Sequence, residues 1–451
     1  RNREAARRRL SGTSAWLAGG DAPVDTGAPR TESGKGGNMR KTINRRALMR
    51  ASVAAAAMTA PFARAGAQPA PLTLRIGVLT ELSGPNASGT GQGAIVASHM
   101  AAEDFMQQNP DIKVEILQAD HQTKPDIASA IARDWLDSGV DAITDLNNSA
   151  VAFAVLGLVR ERNRVALCTA PASSDLTGKG CGPNHVHWTY DTWSLANGTG
   201  KLLVESGKDT WYFIAADYTF GKLLAGDTSR AVIAAGGKVL GTVYTPFPDT
   251  TDFSAFLLQA QASGAKVVGL ANSGTNTTNC IKQAAEFGLN QRGIQLAALL
   301  LTIADVDALG LPVAQGLALT SSFYWDTNDG TRAFSKRFAA RMDGKMPTML
   351  QAGDYSAVTH YLKAAKALGA PGAKDGRAVV QEMKVLPTDD PLFGPGSVRA
   401  DGRKLNPMFL FQVKSPAESK YPWDYYKLLR TIPADQAFRP MADGGCPMVH
   451  A

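Results

Sequence analysis

From about residue 72 onward the chain alternates short β-rich runs with segments of helical period, and it does so twice in succession. The first series predicts strands over 74–79, 113–117, 142–144 and 165–169. Helices fall between them over 93–107, 126–137 and 150–160, where Ile95, Ala102 and Phe105-Met106 recur at helical spacing. A turn-rich loop follows over 171–182. The second series predicts helices over 195–206, 221–235, 253–262 and 276–287, with strands over 210–214, 239–244 and 266–270. Strictly alternating strands and helices form parallel sheets covered by helices, because each parallel crossover needs a helix. Two series joined around 188–191 predict an α/β protein of two lobes facing a cleft. The length agrees, since a single core stops growing at about 250–300 residues. Beyond 316 the pattern loosens. A strand over 317–321 runs into Phe323-Tyr324-Trp325, and helices are expected over 330–342 and 355–368. Asp401-Gly402 between strand-like segments signals a hairpin. Trp423, Tyr425, Tyr426, Pro433 and Pro440 predict an ordered C-terminal arm, since disordered tails are poor in aromatics.

The part before this pattern has a different character. Asn44-Arg45-Arg46-Ala47-Leu48-Met49, an alanine-rich apolar run over 51–62 and the small-residue site Ala65-Gly66-Ala67 are the parts of an export signal. The adjacent arginines resemble a twin-arginine signal, which a receptor reads and which does not anchor. Residues 1–67 are therefore expected to be absent from the mature fold, with Met39 the expected start. The full chain carries a formal charge of +7, but residues 1–67 hold 13 Lys/Arg against 4 Asp/Glu, which leaves 34 basic and 36 acidic residues in the remainder. A near-neutral body offers no electrostatic footprint for nucleic acid. Outside the leader no apolar run reaches the roughly 18–20 residues of a spanning helix, so no stable membrane insertion is expected once the signal is removed. The expected compartment is the periplasm.

Ligands of such sheets bind beyond the carboxyl ends of the strands. Asn147-Asn148-Ser149, Ala172-Ser173-Ser174, 217–220 and Asn272 all occupy that kind of position. Neutral hydroxyls, amides and helix-opening N–H groups suit a carboxylate or carbonyl, although the same residue types also cap helices and close turns. Tyr218, Phe220 and Trp325 supply an aromatic wall, while Tyr324 and Trp325 equally suit inter-lobe packing. Catalytic motifs are absent from the sequence. His185 and His187 share one face of a strand without a third ligand nearby, and His121 is a candidate for the cleft mouth. Gly89-Thr90-Gly91-Gln92-Gly93 lacks the Lys-Ser/Thr of a phosphate loop, and Gly394-Pro-Gly is a turn. No enzyme activity, cofactor or metal is expected.

Several segments in order resemble one family: Ile76-Gly-Val-Leu-Thr-Glu-Leu-Ser-Gly-Pro, Asp120, Thr169-Ala-Pro-Ala-Ser-Ser-Asp-Leu-Thr, Ala216-Asp-Tyr-Thr-Phe-Gly, Thr251-Asp-Phe-Ser-Ala-Phe and Tyr355-Ser-Ala. Over 72 to about 415 the chain resembles an ABC transporter substrate-binding protein of the type I periplasmic-binding fold, in the branched-chain amino-acid/amide class typified by the leucine/isoleucine/valine-binding protein. The resemblance implies two Rossmann-like lobes joined by three crossovers near 190, 321 and 388. It places 68–190 and 322–388 in lobe 1, with 191–321 and 389–451, including the arm, in lobe 2. It further implies that Asn148 and Ser149 hold a ligand carboxylate, that Ala172 and Ser173 hold the ligand backbone, that Phe220 packs over the ligand and that Met349 touches its apolar end. A family glutamate that meets the ligand ammonium has no counterpart in Leu300-Leu301-Thr302-Ile303-Ala304-Asp305; Asp305 is the available substitute. The implied role is capture of a small amino acid, amide or carboxylate by a monomeric protein that serves an ABC permease in the cytoplasmic membrane. A sensor that presents an aromatic or short organic acid to a membrane receptor is the alternative.

Export makes disulfides chemically permissible. Cys168 ends an apolar strand and Cys280 lies in a helix, both suited to buried thiols. Cys181 and Cys446 lie in Gly/Pro turns, and a Cys181–Cys446 bridge is expected, with Cys168–Cys181 the local rival.

Overall fold

The computed structural model describes residues 72–449; the expected export leader over 1–67 lies outside the described residues. A first sheet takes β1 Leu72–Thr80, β2 Ile112–Asp120, β3 Ala142–Asp145, β4 Val165–Cys168 and β5 His185–His187, all parallel in the order β2-β1-β3-β4-β5. The inner strands β3 and β4 are buried along their whole length, as strands covered by helices on both faces must be. A second sheet is built on β6 Thr210–Ala216, β7 Lys238–Thr245, β8 Val267–Ala271, β9 Gln295–Ala298 and β10 Ala318–Ser321. Its strand β8, Val-Val-Gly-Leu-Ala, is likewise fully buried.

The region after 385 departs from simple alternation. Strands β11 Thr388–Asp390, β12 Gly394–Val398 and β13 Lys404–Leu405 form a small antiparallel sheet of their own. Asp401-Gly402 makes the expected turn, with Arg399 N–H donating to Arg403 O at 2.9 Å and Gly402 at φ +87°. Its return strand is only two residues long, however. The next strand, β14 Met408–Val413, leaves to pair antiparallel with β10, and β15 Tyr426–Ile432 pairs antiparallel with β14. The second sheet therefore reads β15-β14-β10-β9-β8-β6-β7.

Helix boundaries follow side-chain caps more closely than hydrophobic period. The helix expected from 355 begins at Met349 because Thr348 and Gln351 form a reciprocal capping box, and it continues to a break at Gly369, whose φ is +66°. The helix expected from 195 begins at Thr192, capped by Asp191 and Ser194 in the same way.

Two buried cations lie where the sheets meet. Arg403 and Lys404 have no exposed surface. Arg403 donates to Tyr190 O at 2.8 Å and stands 3.7 Å from Asp191. Lys404 Nζ has no hydrogen-bond partner; it lies 5.3 Å from the centre of the Trp188 ring and 4.6 Å from that of Phe393. Cys181 is bridged to Cys446, with Cα atoms 5.6 Å apart, while Cys168 and Cys280 are buried free thiols. The arm over 433–446 thus runs from the end of β15 to the β4–β5 loop. On the way Asn197 donates to Gln436 O at 2.7 Å and Arg439 donates to Ser174 O at 2.8 Å.

Candidate functional site

At the carboxyl end of β3 the chain turns sharply through residues with positive φ, Asp145 at 72°, Leu146 at 57° and Asn148 at 89°. Such conformations cost non-glycine residues about 1–3 kcal/mol each and persist where the surroundings over-determine them. Asn148 resolves the turn: its Oδ1 accepts from Ala150 N–H at 2.9 Å and Val151 N–H at 3.3 Å, capping the helix Ser149–Glu161. Ser149 Oγ accepts from Ser173 N–H at 3.2 Å, which ties this loop to the one after β4. Together they present Asn147, Asn148, Ser149, Ala170, Pro171 and Ala172 to a narrow cavity.

The facing wall comes from the strand ends of the second sheet. Tyr218 and Phe220 stand at the end of β6, with ring centres 5.8 Å apart, and Tyr218 is stacked on Phe247 at 4.6 Å. Ser273, Gly274, Leu300, Thr302 and Asp305 complete that side, while Tyr190, Leu350, Asn86 and Gly89 close the ends. The walls touch at one rim, where Thr275 N–H donates to Pro85 O at 2.9 Å. A Cβ on Gly274, which sits at φ +56°, would fall 2.0 Å from that carbonyl, so the close approach requires glycine.

Of the residues singled out by sequence, Asn148, Ser149, Ala172, Tyr218, Phe220 and Asp305 share this cavity. Ser173 lies just behind it, its Oγ accepting from Asp175 N–H at 3.3 Å. Ser174 donates to Asp227 at 3.1 Å, and Thr192 donates to the same carboxylate oxygen at 2.6 Å. Asn272 accepts from Thr277 at 3.2 Å, away from the lining. Trp325 donates its indole N–H to Trp423 O at 2.9 Å, beneath the C-terminal arm. Met349 faces the core while its neighbour Leu350 reaches the cavity. His121 has no exposed surface and accepts from Thr123 N–H at 3.0 Å, which removes it from the cleft mouth. His185 and His187 pair with the carbonyls of Leu176 at 2.8 Å and Pro171 at 2.7 Å.

Sequence reasoning left out Glu81. It has no exposed surface, yet its carboxylate accepts from Asn86 N–H at 3.0 Å, from Asn86 Nδ2 at 3.2 Å and from Asn147 Nδ2 at 3.0 Å. Burial raises its pKa, the Asn86 hydrogen bonds oppose that rise, and the nearby charge of Asp120 adds to it. Deeper in the same lobe Asp145 and Asp354 form a buried pair. Burial pushes both upward, and the charge of Asp354 pushes Asp145 further, so the pair holds a proton where isolated carboxyls would have lost it. Asp305 is also raised by burial; its Oδ2 already accepts from Thr302 N–H and Oγ1, both at 2.8 Å. None of the residues lining the cavity is Lys, Arg or His.

Two lobes with binding loops at opposed strand ends define a solute-binding fold, and the chain belongs to the periplasmic binding protein family, whose model matches residues 73–420. It is similar to a periplasmic binding protein from Burkholderia mallei, with 43% identity over 83% of this chain and 99% of that one, at a TM-score of 0.79. It is similar also to a branched-chain amino acid ABC transporter periplasmic ligand-binding protein from Burkholderia xenovorans, with 38% identity, 83% and 99% coverage and a TM-score of 0.73. A solute-binding protein from R. palustris in complex with 4-hydroxybenzoate shares the fold, with 21% identity, 80% and 97% coverage and a TM-score of 0.72. No curated protein matches the chain. Members of this family are solute-binding proteins of ABC transporters, which capture small molecules and deliver them to a permease.

Proposed function

We propose that the protein captures a small amino acid, amide or carboxylate in the cavity between the two strand-end walls, by closure of the lobes about the crossovers near 190, 321 and 388. The observation that carries this reading is a single cavity with neutral hydrogen-bonding groups on one wall, from Asn147 to Ala172, and the rings of Tyr218 and Phe220 on the other. Polar groups there orient one end of a ligand while the rings and Leu300 and Leu350 cover an apolar body. The name of the Burkholderia xenovorans neighbour supports the amino-acid side of this range. In this reading the twin-arginine leader sends the chain to the periplasm, where it meets its permease as a monomer.

A thermal-shift screen over amino acids, amides and organic acids identifies the ligand, because a molecule that binds only the native state raises the melting temperature. Tyr218→Ala is then expected to weaken that ligand about 10- to 100-fold by calorimetry, the value of one aromatic contact of about 1.5–3 kcal/mol. Small-angle scattering is expected to show a smaller radius with ligand than without. Undiminished affinity in the Tyr218 variant would remove the cavity from consideration.

A further inference from the structure

An asparagine side chain offers one acceptor and one two-proton donor, and which of them faces a ligand depends on what holds the other. In Asn148 the assignment is forced: Oδ1 accepts from two backbone N–H groups, so Nδ2 is the atom left for the cavity. In Asn147 it is reversed. Its Nδ2 donates to Glu81, and its Oδ1 has no partner among the described residues although the residue is buried, with 7% relative exposure. Asn86 has the same polarity as Asn147, because its Nδ2 also donates to Glu81. One buried carboxylate therefore turns two amide carbonyls outward, beside a third amide that presents its N–H groups.

We propose that Glu81 is a positioning residue that fixes the polarity of Asn86 and Asn147, and that the wall so formed selects a neutral carboxamide over the matching carboxylate. This rests on the reading of the cavity as the solute site. A carboxamide has an N–H to donate to Asn147 Oδ1 and a carbonyl to accept from Asn148 Nδ2. A carboxylate carries only acceptors, so it meets the Asn147 carbonyl with lone pairs, on a wall that has no cation to hold it. Sites that hydrogen-bond a donor reject analogues lacking it, because the buried group is left unpaired.

Glu81→Gln keeps the shape and changes the polarity. The carbonyl of the new amide is held by Asn86 N–H, which leaves its NH2 facing Asn86 and Asn147. Those side chains must then turn their own carbonyls inward and their N–H groups toward the cavity. The probes are matched pairs: acetamide and acetate, isovaleramide and isovalerate, benzamide and benzoate, titrated by calorimetry. For the wild type at least one amide is expected to bind tenfold or more tightly than its acid, with that ratio falling by tenfold or more in Glu81→Gln. Asn147→Ala, which removes the acceptor without touching the buried carboxylate, is expected to lose the same discrimination, and it serves if Glu81→Gln does not fold. Failure of every amide to bind the wild type, or a preference for the acid, overturns the proposal. So does an unchanged ratio in a folded Glu81→Gln, or in Asn147→Ala where Glu81→Gln does not fold. If Tyr218→Ala weakens binding while Glu81→Gln leaves the ratio fixed, the cavity stands and the polarity argument alone falls; if Tyr218→Ala changes nothing, the cavity itself is not the site.

Discussion

Replacing Cys181 and Cys446 together by serine is expected to lower the melting temperature by roughly 7 °C. The bridge closes a loop of 265 residues, and constraint of so long a segment in the unfolded chain contributes about 5–6 kcal/mol in the chain-entropy account. Reductant should lower the wild-type melting temperature by a similar amount and leave the double variant unmoved. Thiol counting under denaturing conditions should give two reactive cysteines, Cys168 and Cys280, rising to four after reduction. A wild-type melting temperature indifferent to reductant, once four thiols have been counted, would show that the bridge contributes nothing to stability.

The second large effect concerns Lys404. Its pKa is lowered to about 8: burial pushes it down, the charge of Asp390 opposes this and that of Arg403 adds to it. His360, with its ring 5.2 Å from that of Trp188, is the other titratable group close by; burial holds it neutral. The unfolded chain carries an ordinary lysine with a pKa of about 10.4. Between pH 8 and about 10.4 the unfolded state therefore binds more protons than the folded one, and stability rises with pH. Below pH 8 the folded state holds a charged ammonium without a hydrogen bond, a penalty of up to about 3 kcal/mol that the Trp188 and Phe393 rings reduce by cation–π attraction. Lys404→Met, of similar volume, is expected to be more stable than wild type at pH 7 by about 1–3 kcal/mol, with the advantage gone near pH 10. Urea unfolding across that range measures it. A variant less stable at pH 7 would mean that the ammonium holds the inter-sheet region together.

Why some parts of this architecture were legible and others not follows from how each is stabilised. Strands β3, β4 and β8 are buried on both faces, so burial writes them as apolar runs that no other structure explains as well. Strand β15, Tyr-Lys-Leu-Leu-Arg-Thr-Ile, is buried only at its two ends and lies at a sheet edge. Its pairing depends on β14, not on an alternation of its own, and pattern reading saw only an aromatic-rich arm. In the cavity, strand-end position identified Asn148, Ser149, Tyr218 and Phe220, because topology dictates where such loops gather. Leu350 escaped because successive residues of a helix point about 100° apart, so an offset of one residue exchanges a core side chain for a lining one. Glu81 escaped for a different reason. A carboxylate that works from behind two amides leaves no spacing or composition signal, and only its hydrogen bonds disclose it.

The bridge from Cys181 to Cys446 also decides how the molecule carries tension. It makes a closed covalent ring of everything between those residues, and all seven strands of the second sheet lie inside the ring. A pull applied at the two ends of the described chain passes from 72 to 181, crosses the sulfur atoms and leaves at 446. The second sheet stays slack. Only about 110 residues can be drawn out, roughly 360–400 Å of contour at about 3.3–3.6 Å per residue. The long tether belongs to the half that holds Asn147 and Asn148, while the half that holds Tyr218 and Phe220 can be sheared or melted but not unravelled by its ends.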